Sequence, residues 1–276
     1  MSTTENYNEY SFIIDKPEIF RDIFIAELAS LGFEGFVENE TGFLAYINKN
    51  VDFEKTLDKY NVTYSFSVKL IEPENWNKTW EKQIKPLIID DKIYIKTSFH
   101  PEKIFPHVIT IDPKMSFGTG HHETTYLMIK QMLDMNFTDK NVLDMGAGTG
   151  VLSILAEQFG ANKIYAVDID RWAYENMLEN FEKNKMTKCK AFIGGVEAIT
   201  DFPKFDIVLA NINLNILQQD LHSYIGKLKK GGTLVLSGFL ENDIEILTRQ
   251  AENFGMVFER LLSKNKWQSI KLKKVK

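Results

Sequence analysis

Asn141-Val142-Leu143-Asp144-Met145 is an apolar run with strand character. It passes directly into Gly146-Ala147-Gly148-Thr149-Gly150, and Val151 then opens a helical pattern. Glycine suits backbone that must approach a ligand closely, and a helix N-terminus presents N–H groups with no partner inside the helix. Strand, glycine turn and helix in that order make the first βα turn of a nucleotide-type site, at the carboxyl ends of the strands. A second strand-like run, Ile164-Tyr165-Ala166-Val167, ends in Asp168, 22 residues after Gly146. A carboxylate at that spacing is placed to accept hydrogen bonds from both hydroxyls of a ribose.

The same residues discriminate between cofactors. A dinucleotide fingerprint has the form GxGxxG, which would put its third glycine at position 151. That position is Val151, and the third glycine comes one residue earlier, as Gly150. Asp144 stands two positions before the first glycine, where a carboxylate would repel a pyrophosphate but attract the ammonium of a methionine moiety. The expected cofactor is therefore S-adenosylmethionine rather than a nicotinamide dinucleotide.

Two further stretches carry reactive or polar side chains. Phe117-Gly118-Thr119-Gly120-His121-His122-Glu123-Thr124-Thr125 reads as a flexible glycine loop running into a helix cap. Its backbone and hydroxyls, with Phe117 and Thr119 among them, are expected at the methionine end of the cofactor. His121 and His122 are adjacent, so they do not share a helix face as an i, i+4 metal pair would, and no metal site is expected. Further on, Phe205–Asn211 is a strand whose last residue, Asn211, offers an amide to an incoming amine or to the cofactor. Asp170 reads as a helix N-cap.

These residues need a scaffold that brings strand ends together. From about residue 121 the chain alternates: helix 121–135, strand 141–145, helix 151–160, strand 163–168, helix 171–184. Strands near 190–193 and 205–210, helix 214–228, strand 232–238, helix 241–254 and two terminal strands follow. That rhythm predicts a largely parallel sheet covered on both faces, with the end of 205–210 beside the first strand. The front of the chain reads differently. Strand Tyr10–Ile14, a helix opened by Pro17 and stopped by Gly32, strands Phe36–Asn39 and Gly42–Ile47, a helix from Asp52 to Tyr60 and strand Thr63–Leu70 give a βαββαβ order. This is the ferredoxin-like, split-βαβ pattern. Two more strands are expected at Lys92–Thr97 and His107–Ile111. The domains are therefore expected at 1–70 and 91–276. A linker helix lies between them in 71–90, carrying Pro73, Trp76, Trp80 and Ile84.

Composition narrows the function classes. The 276 residues are 44% hydrophobic and 26% charged, ordinary for a globular protein. The N-terminus has Glu5 and Glu9 where a signal peptide would have an apolar stretch, and no run suits a membrane span. One cysteine, Cys189, leaves no internal disulfide and fits a reducing cytoplasm. The net charge is −5, and residues 1–70 hold 12 acidic and 6 basic side chains. Direct nucleic-acid binding is not expected from such a front domain, whereas a basic protein partner is.

Taken together, Phe117–Thr125, Asp144–Gly150, Asp168 and Ala210–Asn211 resemble the PrmA family, methyltransferases that act on large-subunit ribosomal protein L-eleven. The resemblance covers essentially the whole chain, including the late Trp267, and its specific part is Gly118–Thr125. It implies a Rossmann-like class I methyltransferase domain behind a small α+β domain. It also implies methyl transfer from S-adenosylmethionine to lysine ε-amines and the N-terminal α-amine, with the front domain recognising the substrate, in a monomer. By matching position, the family's cofactor contacts fall on Thr125, Gly146, Asp168 and Asn211. Asp144, Gly148, Gly150, Phe117 and Thr119 extend that set from the reading of the residues themselves. The chain departs from many members at Ile212-Asn213-Leu214-Asn215, which bears on the acceptor pocket and not on the cofactor site. The Asn-Pro-Pro-Tyr signature of glutamine and DNA-base methyltransferases is absent. No general base is evident beside Asn211.

Overall fold

The computed structural model describes residues 7–49, 51–71, 85–112 and 120–275. The chain separates into two units, Met1–Trp80 and Glu81–Lys276.

In the first unit, β1 (Tyr7–Ile14), α1 (Pro17–Ser30), β2 (Gly35–Asn39), β3 (Gly42–Ile47), α2 (Glu54–Asp58) and β4 (Tyr64–Ile71) follow one another. The strands form one antiparallel sheet in the order β2-β3-β1-β4. Alternation along β1 turns Tyr10, Phe12 and Ile14 inward, while Ile13 stays exposed. Phe24 and Leu28 of α1 and Leu57 of α2 close over these residues. Aromatic rings dominate this small core, with Phe12 and Phe43 stacked at 5.0 Å. Pro17 begins α1, where its missing N–H costs no helical hydrogen bond.

The second unit opens with β5 (Leu87–Ile89), β6 (Ile93–Lys96) and β7 (His107–Thr110), a three-stranded sheet. β5 lies inside the span expected to be linker, so that span is not helical throughout. Ile71 of that span ends β4, and residues 72–84, with Pro73, Trp76, Trp80 and Ile84, lie outside the described residues. Next come α3 (Glu123–Met132), β8 (Asn141–Met145), α4 (Val151–Gln158), β9 (Lys163–Asp168), α5 (Arg171–Lys183) and β10 (Cys189–Ile193). The chain continues through a 3-10 turn (Val196–Ile199), β11 (Phe205–Asn211), α6 (Leu214–Gly226), β12 (Leu228–Leu240), α7 (Ile244–Asn253), β13 (Met256–Lys264) and β14 (Trp267–Lys274).

Seven strands form one sheet in the order β10-β9-β8-β11-β12-β14-β13. The first five run parallel, and β14 and β13 close the edge antiparallel. This is the expected Rossmann-like α/β architecture. The strand order reverses between β8 and β11, and open α/β sheets bind ligands at such a switch point. Helix α4 is buried from Val151 through Ala156, which explains its almost unbroken apolar sequence. Helix α5 buries Ala173, Asn176, Met177, Asn180 and Phe181, an i, i+3, i+4 stripe. Two of those inward positions are asparagines.

Candidate active site

The ends of β8, β9, β10 and β11 surround a cavity of about 670 Å³. That is within the range of small-molecule sites, roughly 300–1,000 Å³. Gly146, Gly148, Asp168 and Asn211 all line it, so four of the expected contacts meet in one place.

Backbone geometry builds the floor. Gly146, Gly148 and Gly150 have φ of 66°, 55° and 81°, a region that side-chain-bearing residues rarely enter. A Cβ on Gly146 would lie 2.2 Å from Ile212 Cγ2, so any other residue would press into the cavity wall. Gly150 has a different task. It caps α4 and does not line the cavity, and a Cβ there would lie 2.5 Å from the Phe181 ring. Its glycine serves helix packing rather than cofactor contact.

Asp168 is held by two backbone donors. Gly148 N–H donates to Oδ2 at 2.8 Å and Asp170 N–H to Oδ1 at 2.9 Å. Each carboxylate oxygen keeps acceptor capacity for a further donor. The first bond also ties the glycine loop to the end of the neighbouring strand. Asp170 caps α5 through Trp172 N–H at 2.8 Å, as expected, and it lines the cavity as well.

Asn211 ends β11 and reaches across to α3, where Nδ2 donates to Thr125 Oγ1 at 3.3 Å. Its Oδ1 is buried and has no hydrogen-bond partner among the described residues. A buried acceptor left unmet is costly, about 1–3 kcal/mol, and a ligand donor such as an ammonium would relieve it. Thr125 itself is buried and does not line the cavity; it orients Asn211 from behind, while Thr124 and His122 form the wall. His122 caps α3 by accepting from Thr124 N–H, and its ring meets Trp267 edge-on at 5.0 Å.

Asp144 is placed otherwise than the sequence suggests. Successive strand residues face opposite ways, so Met145 lines the cavity while Asp144 is fully buried behind it. Ser153 Oγ donates to its Oδ2 at 2.7 Å, and Oδ1 has no partner among the described residues. Burial raises its pKa to about 7, against the pull of Ser153; Asp168 nearby adds to the rise. Direct contact with a methionine ammonium is therefore not what this carboxylate is positioned for. Phe117 and Thr119 lie outside the described residues.

Several lining residues escaped the sequence reading. Gly194 and Gly195 after β10, then Val196 and Glu197, repeat the glycine-turn signal at a third strand end. Ile216, Asp220 and Tyr224 recur every four residues on one face of α6. That period was legible, but it looks like any core-facing stripe.

The residues fit S-adenosylmethionine. A carboxylate stands at the ribose position, glycine backbone leaves room where a Cβ would intrude, and a buried amide oxygen lacks a donor.

Comparison with known proteins is consistent with this site. The family model described as ribosomal protein L11 methyltransferase (PrmA) matches residues 10–275. A ribosomal protein L11 methyltransferase of Porphyromonas gingivalis is 41% identical over 259 residues, covering 91% of this chain and 89% of that protein. One from Bacteroides fragilis is 39% identical over 265 residues, covering 92% and 94%. The crystal structure of a ribosomal protein L11 methylase from Lactobacillus delbrueckii subsp. bulgaricus superposes with a TM-score of 0.64 at 21% identity, over 70% of this chain and all of that one.

Proposed function

The chain belongs to the ribosomal protein L11 methyltransferase family, and from that premise we propose that it methylates amines of ribosomal protein L11: lysine ε-amines and the N-terminal α-amine. It is an S-adenosylmethionine-dependent methyltransferase. The observation that carries the reading is the convergence of Gly146, Gly148, Asp168 and Asn211 on one cavity at the β8/β11 switch point.

When bound, S-adenosylmethionine supplies a methyl group on a positively charged sulfur, which already makes a good leaving group. The protein's work is then alignment and desolvation. Asp168, fixed by Gly148 and Asp170 N–H groups, accepts from the ribose hydroxyls. The glycine loop allows close backbone approach. Asn211, steadied by Thr125, turns a carbonyl oxygen toward a donor, either the cofactor's ammonium or the acceptor amine. An attacking amine must be neutral, and a free lysine titrates near 10.4. Withdrawal from water into a largely apolar cavity favours the neutral form.

The front domain suits substrate recognition, because its acidic excess complements a basic ribosomal protein. The test is intact-mass analysis of purified ribosomal proteins incubated with this protein and S-adenosylmethionine. Mass gains in multiples of one methyl confined to L11 are expected. Gains elsewhere, or none, would refute the substrate assignment.

A further inference from the structure

Helix α5 carries asparagines at 176 and 180, and Asn184 caps its end, so one face presents an amide every four residues. Surface asparagines weaken helices, yet Asn176 and Asn180 are fully buried. All three hold the same segment of backbone. Asn184 accepts from Thr110 N–H at 2.9 Å and donates to Thr110 O at 2.7 Å. Asn180 Oδ1 accepts from Asp112 N–H at 3.0 Å, and Asn176 Nδ2 donates to Asp112 O at 2.8 Å. Asp112 is secured from its side chain too, by Ser98 and by Lys183 Nζ at 2.6 Å.

Asn180 makes a further bond. Its Nδ2 donates to Thr149 O at 3.0 Å, inside the glycine loop. One amide group thus joins the backbone of the loop that cradles the cofactor to the backbone at the end of β7. A planar amide holds its two ends at fixed separation, so a shift at Thr149 is passed to Asp112.

We infer that Asn180 is a positioning residue that couples occupancy of the glycine loop to the backbone of residues 107–112. The inference rests on the reading that Gly146–Gly150 holds S-adenosylmethionine. The amides satisfy backbone groups of both segments, and Asn180 does so for the two at once. Coupling of this kind is reciprocal: a variant that breaks it alters both the segment's response and the fit of the loop.

Hydrogen exchange of the full chain, with and without S-adenosylhomocysteine, tests it. In the unchanged protein the ligand should slow exchange in peptides covering 146–150 and in those covering 107–112. Asn184→Leu, which leaves the bridge to Thr149 intact, should keep both effects. Asn180→Leu should keep the first and lose the second. Asn180→Asp serves if the leucine variant fails to fold, because it retains an acceptor for Asp112 N–H and removes the amide donor to Thr149 O. Protection of 107–112 that survives in the Asn180 variants, or that never occurs in the unchanged protein, would overturn the coupling. Absence of protection at 146–150 would instead overturn the cofactor reading, and the coupling with it.

Discussion

Asp168 shows how a single carboxylate is prepared for its ligand. Two backbone N–H groups fix its orientation, so under the proposed function a ribose would meet acceptors already in place. Replacing it with alanine should weaken S-adenosylhomocysteine binding about 10- to 100-fold, as expected for losing hydrogen bonds to a charged group; calorimetry measures this, and an unchanged Kd would remove Asp168 from the site. Asn211→Ala should lower turnover while leaving the fold intact, and normal binding and turnover in that variant would exclude its positioning role. Asp144 makes a prediction about pH. Its folded-state pKa is about 7 against an ordinary 3.8, chiefly because it is buried. Between those values the unfolded chain has released the proton while the folded protein still holds it. Stability therefore falls as pH rises through this window and levels off above it. Asp144→Asn should flatten the decline, by an amount on the order of a few kcal/mol, in urea melts from pH 5 to 8. Parallel profiles for the two proteins would contradict the assignment.

At the scale of elements, the glycine loop divides its labour. Gly146 keeps a ligand cavity open against Ile212, whereas Gly150 lets α4 and α5 approach through Phe181. Gly150→Ala should lower stability by about 1–3 kcal/mol through crowding and the positive φ. Gly226→Ala, in α6 with nothing near the added methyl, should raise it by up to about 1 kcal/mol. Thermal melts distinguish these, and equal shifts of the same sign would contradict the packing argument. Strand alternation explains the misplaced carboxylate as well: Met145 and Asp144 are neighbours in sequence and stand on opposite sides of β8. Sequence spacing brought Asp144 within reach of the loop, but not to its ligand side.

At the scale of the molecule, charge is distributed unevenly: residues 1–70 carry twice as many acidic as basic side chains, while the remainder is nearly balanced. If that excess draws in a basic substrate, the KM for L11 should rise several-fold between about 0.05 and 0.5 M salt, as attraction beyond a Debye length is screened. Steady-state kinetics at constant S-adenosylmethionine give the answer, and a flat KM would rule out electrostatic recruitment. No helix among the described residues is long and apolar enough to cross a membrane.

The amino-acid sequence by itself determined the order of elements from α3 onward, the glycine loop and the cofactor class, while β5 fell inside the span it suggested as a linker helix. Those follow from local rules, since strand and helix periods, backbone freedom at glycine and N-cap chemistry act over a few residues. Tertiary structure alone decided which neighbours share a cavity. It placed Thr125 behind Asn211, turned Asp144 inward beneath Ser153, and brought Asp220, Tyr224 and Trp267 from distant segments to the same wall. Side-chain direction at a strand end depends on the pleat and the pairing register. Proximity across strands depends on sheet order, which no short window of sequence contains.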